Sequence, residues 1–254
     1  MARLEITTHI GCPMNCLDCP QKLLLSNYHG EKFMDFNDYT KVIDKIPNNV
    51  RIDFSGMCEP FVNPRCADMI LYAANHGNPL ALYTTLQGAT EEDYEKLKNV
   101  RYEVVTIHIP DSEGRSTFKI TDEYLNLLSK WNCNHYSCHG TVDNQVKPYL
   151  QPRKNLITYM HDRAGNLTHQ KHFYHPPQSR VSCINCGNAL NHNVLLPDGT
   201  TLVCCMDYGM THIFGNLFTQ SYEEILNSPS ANQLRIDMET TDCLCKHCTN
   251  AREY

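Results

Sequence analysis

Three cysteines near the start of the chain constrain its fold more than any other feature. Cys12, Cys16 and Cys19 follow a strand-like run at residues 4–10 with CxxxCxxC spacing. A 4Fe-4S cube normally takes four thiolates, so three on one tight loop leave the fourth iron open to a substrate or cofactor. A zinc site is the alternative, but zinc sites favour two ligands two to four residues apart followed by a long gap. The spacing therefore predicts an iron-sulfur cluster with an open iron.

The composition agrees with a metal-dependent enzyme of the cytoplasm. The 254 residues include 14 cysteines, and the first residues lead into a strand without an export signal, so disulfides are not expected. The net charge is -6 with 22 basic residues, which does not indicate a basic surface for binding nucleic acid. No apolar run is long enough to predict a membrane span. We expect a cytoplasmic protein with neither nucleic acid nor membrane as a partner.

The CxxxCxxC loop after a first strand resembles the radical S-adenosylmethionine (radical SAM) superfamily. The resemblance implies that the amino and carboxylate groups of SAM bind the open iron of the 4Fe-4S cluster. Reductive cleavage of SAM then produces a 5′-deoxyadenosyl radical, which removes a hydrogen atom from the substrate. The residue before the last cysteine, which is often aromatic or bulky in that superfamily, is Asp18 here.

Short apolar runs alternate with amphipathic stretches through the first two thirds of the chain, as in repeated strand-helix units. Six strands are predicted, and six are too few for a closed eight-fold barrel. They match the open partial (β/α)6 TIM-like barrel of the resembled superfamily, an α/β fold. We predict this barrel for residues 1–160, a linker for 161–182, and a small cluster-binding domain of a β-hairpin plus a helix for 183–254.

Residues that would bind SAM are expected at the C-terminal ends of the barrel strands. The stretch Ser55-Gly56-Met57-Cys58-Glu59 resembles the superfamily's Gly-Gly-Glu motif for the SAM amino group, with Ser55, Gly56 and Glu59 as ligand contacts. Thr84 and Thr85 resemble the position that contacts the SAM carboxylate or ribose. An ordinary strand-to-helix turn is the alternative for each.

Further polar residues follow the other strands. Ser137 is a predicted cofactor contact, and His108, Asp111 and Thr141 are weaker candidates. Arg163 follows the sixth strand, where a guanidinium can hold substrate hydroxyls or carboxylates. Resemblance to twitch-type radical SAM dehydrogenases supports that role. The nearby His169, His172 and His175 have no metal-ligand spacing and are either substrate-facing or solvated.

The last 72 residues hold half of the cysteines. Residues 195–203 read as a hairpin with an Asp-Gly turn, which brings Cys186 towards Cys204, and Cys245 and Cys248 return as a CxxC. These four thiols make a complete 4Fe-4S site and resemble the twitch domain, a shortened SPASM domain with one auxiliary cluster. Cys183, Cys186, Cys245 and Cys248 would alternatively form a zinc ribbon.

Cys204 and Cys205 are predicted to be adjacent on a strand, so that their side chains point to opposite faces and only one is a ligand. Cys204 is preferred because it follows Gly199 with Gly-x-x-x-x-Cys spacing. Cys205 and Cys58 are left as spare thiols that a radical reaction could use. Cys133, Cys138, Cys183 and Cys243 are the other spare thiols.

These residues predict oxidation of a secondary alcohol of a sugar or cyclitol, as the resembled 2-deoxy-scyllo-inosamine dehydrogenase-like enzymes perform. The auxiliary cluster would accept the second electron, and flavodoxin or ferredoxin would supply the first. Return of a hydrogen atom from a cysteine thiol would give epimerisation instead. A peptide-modifying maturase is a third alternative, although only eleven residues precede Cys12 and leave no room for a leader-binding domain. An electron-transfer or zinc-structured protein is the alternative outside catalysis.

Overall fold

A computed structural model describes residues 1–167, 169 and 174–254. Its strands are β1 (Arg3–Ile6), β2 (Arg51–Phe54), β3 (Leu80–Thr84), β4 (Val104–His108), β5 (His135–Ser137), β6 (Asn155–Ile157), β7 (Val181–Cys183), β8 (His192–Leu195), β9 (Thr200–Leu202), β10 (Ile213–Asn216) and β11 (Ala251–Glu253). Its α-helices are α1 (Gln21–Asn27), α2 (Phe36–Ile43), α3 (Cys66–His76), α4 (Glu91–Leu97), α5 (Asp122–Lys130), α6 (Tyr222–Leu226) and α7 (Pro229–Thr240). Short 3-10 helices lie at Pro60–Val62, Lys147–Tyr149 and Leu244–His247.

The predicted open barrel of six parallel strands is confirmed. Strands β1 to β6 pair in chain order, and every pair is parallel. They belong to a mixed sheet in the order β10-β9-β8-β1-β2-β3-β4-β5-β6, in which β6 and β10 stand at opposite edges. The crossover between β5 and β6 contains only the 3-10 helix Lys147–Tyr149, in line with its predicted shortness.

The helices begin where the sequence provides caps. Thr90 and Asp93 form the predicted capping box of α4, and Asp35 accepts two backbone N–H groups at the start of α2. Helix α7 was not predicted. Its buried residues Ala231, Leu234 and Met238 recur at helical spacing, so the signal was present in the sequence.

The C-terminal part joins the same sheet. Strand β8 pairs in parallel with β1, and the hairpin of β8 and β9 has the predicted Asp198-Gly199 turn. Gly199 has a φ of +85°, and a Cβ there would lie 2.4 Å from Asn216 Oδ1, so no larger residue fits. Strands β7 and β11 form a separate two-stranded sheet. The proposed domain boundaries stay predictions.

The parallel strands have one apolar and one polar face. Leu4 and Ile6 of β1 lie fully buried in the core beside the helices, whereas Arg3 and Glu5 line a cavity on the other side. Strand β2 repeats the pattern with Asp53 facing the cavity. Successive strand residues point to opposite faces, so this alternation makes the inside of the partial barrel polar.

In the described ranges, no helix combines the length and the apolar character that a bilayer crossing requires.

Candidate functional site

A cavity of about 490 Å³ opens at the C-terminal ends of the parallel strands. Polar side chains at this end of a partial barrel are positioned for chemistry. The main predicted site residues all line it: Cys12, Cys16, Cys19, Ser55, Gly56, Cys58, Glu59, Thr84, Thr85, Ser137, Arg163, Cys186, Cys204, Cys205, Cys245 and Cys248. The fold thus brings two cysteine groups that are far apart in the sequence to one cavity.

The CxxxCxxC loop is held by backbone hydrogen bonds rather than by regular structure. Leu17 N–H donates to the Arg115 carbonyl at 2.7 Å, and Cys19 N–H donates to the Cys16 carbonyl at 3.2 Å. Burial raises the pKa of Cys12 to about 12 and that of Cys16 to about 11. Metal ligands must be thiolates, so cluster assembly here would release protons.

The surroundings of these sulfurs fit a cluster. The backbone N–H groups of Met14 and Glu59 donate to Cys12, and the Ser116 side chain donates to Cys16. Such bonds stabilise a thiolate and help to set a cluster's potential. The donor set therefore suits iron-sulfur ligation.

Glu59 connects the ends of β2 and β3. Its carboxylate is buried and accepts from the Thr84 hydroxyl at 2.6 Å, the Thr85 hydroxyl at 2.6 Å, the Thr85 N–H and the Phe61 N–H at 3.2 Å. Burial raises the pKa of Glu59, and these donors oppose the rise. A carboxylate has about four acceptor positions, so any contact with a ligand would replace one of these bonds.

Ser137 lies with two histidines on the wall formed by β4 and β5. Its hydroxyl is 3.4 Å from His108 Nδ1, and the His108 ring centroid is 4.6 Å from that of His139. Burial lowers the pKa of both histidines, which keeps them neutral near pH 7. Asp111 and Thr141 instead take part in turn hydrogen bonds outside the cavity lining.

Arg163 lies between the two cysteine groups. Its backbone has a φ of +54°, which is uncommon for a residue with a side chain. The guanidinium lies 5.8 Å from the centroid of the Tyr208 ring, and the Tyr208 hydroxyl is 3.5 Å from Cys19 Sγ. Its Nε is buried, and in the described part of the chain no acceptor pairs with it. This nitrogen is available to a ligand in the cavity.

Asp162 anchors the segment that carries Arg163. One of its oxygens accepts from Ala164 N–H at 3.1 Å and from Thr249 N–H at 3.4 Å. Thr249 directly follows Cys248. The arginine is thereby tied to the C-terminal cysteine group.

The C-terminal cysteine group consists of six thiols. Cys183 contacts Cys186 and Cys243 contacts Cys245 through their sulfurs, and Cys204 interacts electrostatically with Cys248. Donation from Cys186 lowers the pKa of Cys183, and donation from Cys245 lowers that of Cys243. The backbone N–H of Asn250 donates to Cys248 Sγ at 3.4 Å. The donor set again suits a cluster bound by thiolates.

Within residues 1–167, 169 and 174–254, no three His, Cys, Asp or Glu side chains converge as ligands of a single metal ion. A 4Fe-4S cube binds each thiolate to a different iron, so its ligands need not converge on one point.

The expectation that Cys204 and Cys205 lie on a strand is wrong. Strand β9 ends at Leu202, and the chain then turns, with Asp207 N–H donating to the Cys204 carbonyl at 3.1 Å. The two thiols still face different surroundings. Cys204 lies near Cys248, whereas Cys205 lies near Glu5 and Arg163.

The spare thiols divide into two sets. Cys58 lies 3.5 Å from the Thr8 hydroxyl, and burial raises its pKa to about 11. Cys58, Cys183 and Cys205 line the cavity, whereas Cys133 and Cys138 are buried in the core.

The two described histidines after Arg163 have different acidic partners, Asp18 for His169 and Glu253 for His175. Asp18 is buried and binds Arg115 through oxygens 2.9 and 3.1 Å from its guanidinium nitrogens. His169 Nε2 lies 2.7 Å from the same carboxylate, and His175 pairs with Glu253 at 3.2 Å. His172 lies outside the described residues.

Sequence reasoning missed several residues on the polar inner wall. Glu5, Asp53, His139 and Tyr208 all line the cavity. The signal was available in β1 and β2, whose sequences Arg-Leu-Glu-Ile and Arg-Ile-Asp-Phe both alternate polar and apolar residues. Fully buried parallel strands normally read as continuous apolar runs, so this alternation indicates a polar interior.

Known proteins resemble the chain in both parts. Residues 186–249 match the SPASM model, an iron-sulfur cluster-binding domain. The structure of BtrN in complex with AdoMet and 2-DOIA has 16% sequence identity and a TM-score of 0.67, over 98% of this chain and 93% of BtrN. No curated protein matches the sequence.

Two other structures share the fold. Streptococcus suis SuiB bound to precursor peptide SuiA has 12% identity and a TM-score of 0.62, over 97% of this chain and 69% of SuiB. Hexahistidine-tagged anSMEcpe with bound AdoMet has 13% identity and a TM-score of 0.60, over 97% and 83% of the two chains. The predicted cofactors, 4Fe-4S clusters and SAM, agree with these findings. The chain therefore shares the fold of these structures over almost its whole length, and its C-terminal part matches an iron-sulfur cluster-binding domain, in line with the sequence prediction.

Proposed function

We propose that the protein oxidises a secondary alcohol of a sugar or cyclitol by radical SAM chemistry. The observation that carries the proposal is the shared cavity, because both cysteine groups and a polar barrel wall line one space. When bound, SAM with the first cluster would supply hydrogen-atom abstraction, and an auxiliary cluster would accept an electron. A flavodoxin or ferredoxin remains the expected electron donor.

Different residues of the chain would hold the two clusters, SAM and the substrate. Cys12, Cys16 and Cys19 would hold the first cluster, and Cys186, Cys204, Cys245 and Cys248 the auxiliary one. The segment from Ser55 to Glu59, with Thr84, Thr85 and Ser137, would form the SAM wall. Arg163 would bind substrate hydroxyls, because it lines the cavity and its Nε has no acceptor among the described residues.

The polar wall supports a small hydroxylated substrate. Tyr83, Thr106, His108 and Ser137 line the cavity beside charged groups of both signs. Such groups can satisfy the several hydroxyls of a sugar or cyclitol, which must keep hydrogen bonds when they leave water. The BtrN complex contains the small molecule 2-DOIA, whereas the SuiB complex contains a peptide.

The test uses anaerobically reconstituted protein with SAM, dithionite and 2-deoxy-scyllo-inosamine or related cyclitols. We expect one ketone and one 5′-deoxyadenosine per SAM consumed, measured by mass spectrometry. SAM cleavage without any ketone across the cyclitol panel would rule out the proposed oxidation.

Epimerisation is a second candidate, because the thiols of Cys58 and Cys205 line the cavity. Burial raises the pKa of both thiols, so both keep the hydrogen that a carbon radical would take. The same assay in D2O separates the candidates. An epimerase would place deuterium on the carbinol carbon and would form no ketone.

A further inference from the structure

The proposed oxidation requires a group that takes the hydroxyl proton, and four carboxylates line the described cavity: Glu5, Asp18, Asp53 and Glu59. Three of them are already occupied by protein donors, Asp18 and Asp53 by arginines and Glu59 by four hydrogen bonds. Asp18 binds Arg115, Asp53 binds Arg51 through two bonds of 2.6 and 2.7 Å, and Glu59 binds Thr84 and Thr85.

Glu5 differs from the other three. Its Oε2 accepts from the Ser55 hydroxyl at 2.9 Å, and the thiol of Cys205 also donates to it. Both partners are neutral, and in the described part of the chain Glu5 takes part in no salt bridge. A half-buried carboxylate that accepts from one hydroxyl and one thiol keeps acceptor capacity for a ligand.

Strand β1 directs this carboxylate into the cavity. Leu4 and Ile6 are buried on the opposite face in the core, so the strand's alternation fixes Glu5 on the inner wall. Parallel pairing of β1 with β2 on one side and β8 on the other holds the strand in register. The position of Glu5 therefore depends on rigid structure rather than on a loop.

The electrostatic surroundings favour a proton acceptor. Burial and the nearby Asp53 raise the pKa of Glu5, while Ser55, Cys205 and Arg163 lower it. A carboxylate whose basicity is increased but which stays near a cation can take a proton and release it again. Cys205, whose thiol donates to Glu5, directly follows Cys204, a predicted ligand of the auxiliary cluster.

We propose that Glu5 accepts the hydroxyl proton when the substrate radical becomes a ketone, an inference that rests on the proposed oxidation. Hydrogen-atom abstraction leaves a carbon radical that carries a hydroxyl group. The O–H bond then breaks, the proton passes to a carboxylate oxygen of Glu5, and one electron passes to the auxiliary iron-sulfur cluster. A C=O double bond forms, and Glu5 later returns the proton to solvent.

Two of the histidines that line the cavity, His139 and His108, are less suited to this step. His139 lies 3.7 Å from Asp18 Oδ2, on the side of the CxxxCxxC loop. The His108 ring is tilted against the His139 ring at 4.6 Å and lies 5.9 Å from the Phe118 ring. Neither histidine is among the groups near Cys205 and the C-terminal cysteine group.

The experiment compares the wild type with Glu5→Gln, using 2-deoxy-scyllo-inosamine deuterated at its carbinol carbons. We expect Glu5→Gln to bind iron, cleave SAM and transfer deuterium to 5′-deoxyadenosine as the wild type does. The ketone formed per deuterated 5′-deoxyadenosine should fall about 100-fold, a typical contribution of a general base. Glu5→Asp should restore part of the ketone yield.

Matched controls make each outcome decisive. Glu103→Gln removes a partly exposed carboxylate that pairs with Arg51 at 3.3 Å, and it should keep the wild-type ketone ratio. An unchanged ratio in Glu5→Gln, or a loss in His139→Gln instead, overturns the assignment. Loss of iron or of SAM cleavage in Glu5→Gln shows a structural role and also overturns it. Absence of ketone from the wild type itself overturns the proposed oxidation, and the proton-acceptor role with it.

Discussion

The two cysteine groups at the cavity differ in how they are assembled. Their thiols line the cavity except that of Cys243, which is buried in the core. The first supplies three thiols from the eight residues between Cys12 and Cys19. The second supplies six thiols from three separated segments, around residues 183–186, 204 and 243–248. A ligand set on one loop needs only local geometry, whereas the second set needs the hairpin and the following helices to bring its members together.

The groups also differ in how many thiols they offer a cube. Three thiols are one fewer than a 4Fe-4S cube binds, so a cube on the first group would have one iron open to SAM. Six thiols are two more than a 4Fe-4S cube binds, so the second group could supply all four ligands of a cluster from the protein alone. This difference predicts separate roles, and three substitutions test it.

The largest effect is expected from Cys12→Ala. Loss of one of only three ligands should remove the first cluster, so SAM cleavage should become undetectable and iron should fall from about eight to about four per chain. Iron analysis measures the iron content, and 5′-deoxyadenosine formation with dithionite measures SAM cleavage. The control is Cys133→Ala, since Cys133 is buried in the core away from the cavity. SAM cleavage by Cys12→Ala would contradict the assignment.

Cys245→Ala should have an intermediate effect. The auxiliary cluster should be lost because a predicted ligand is missing, while the first cluster and SAM cleavage should remain. Ketone formation should stop, since the second electron has no acceptor. Mass spectrometry of 5′-deoxyadenosine and ketone in one reaction measures this split, and ketone formation at the wild-type rate would refute the electron-accepting role.

The smallest effect is expected from Cys183→Ser. Cys186, Cys204, Cys245 and Cys248 should still bind the auxiliary cluster, so iron should stay near eight per chain. Cys186→Ser is the matched variant, because its thiol touches Cys183, and it should lose about four irons. Loss of iron in Cys183→Ser but not in Cys186→Ser would show that Cys183, and not Cys186, is the ligand.

Much of the fold was predictable because its signals are local. The capping box of Thr90 and Asp93 and the Asp-Gly turn at residues 198–199 depend on neighbouring residues, and both are present. The position of Cys204 on a strand was predicted wrongly. Strand β9 ends at Leu202, and the turn that follows is held by the carboxylate of Asp207, which accepts hydrogen bonds from the N–H groups of Thr211 and His212.

The sequence by itself determined the spacing of the CxxxCxxC loop, the six parallel strands and the cysteines available for a second site, and it predicted a cluster at each. Only the tertiary structure decided that both sets share one cavity, because parallel pairing of β8 with β1 carries the C-terminal hairpin to the barrel. It also singled out Glu5 among four carboxylates. Which acceptor keeps free capacity depends on donors that are distant in the sequence, such as Cys205, and no local pattern records such contacts.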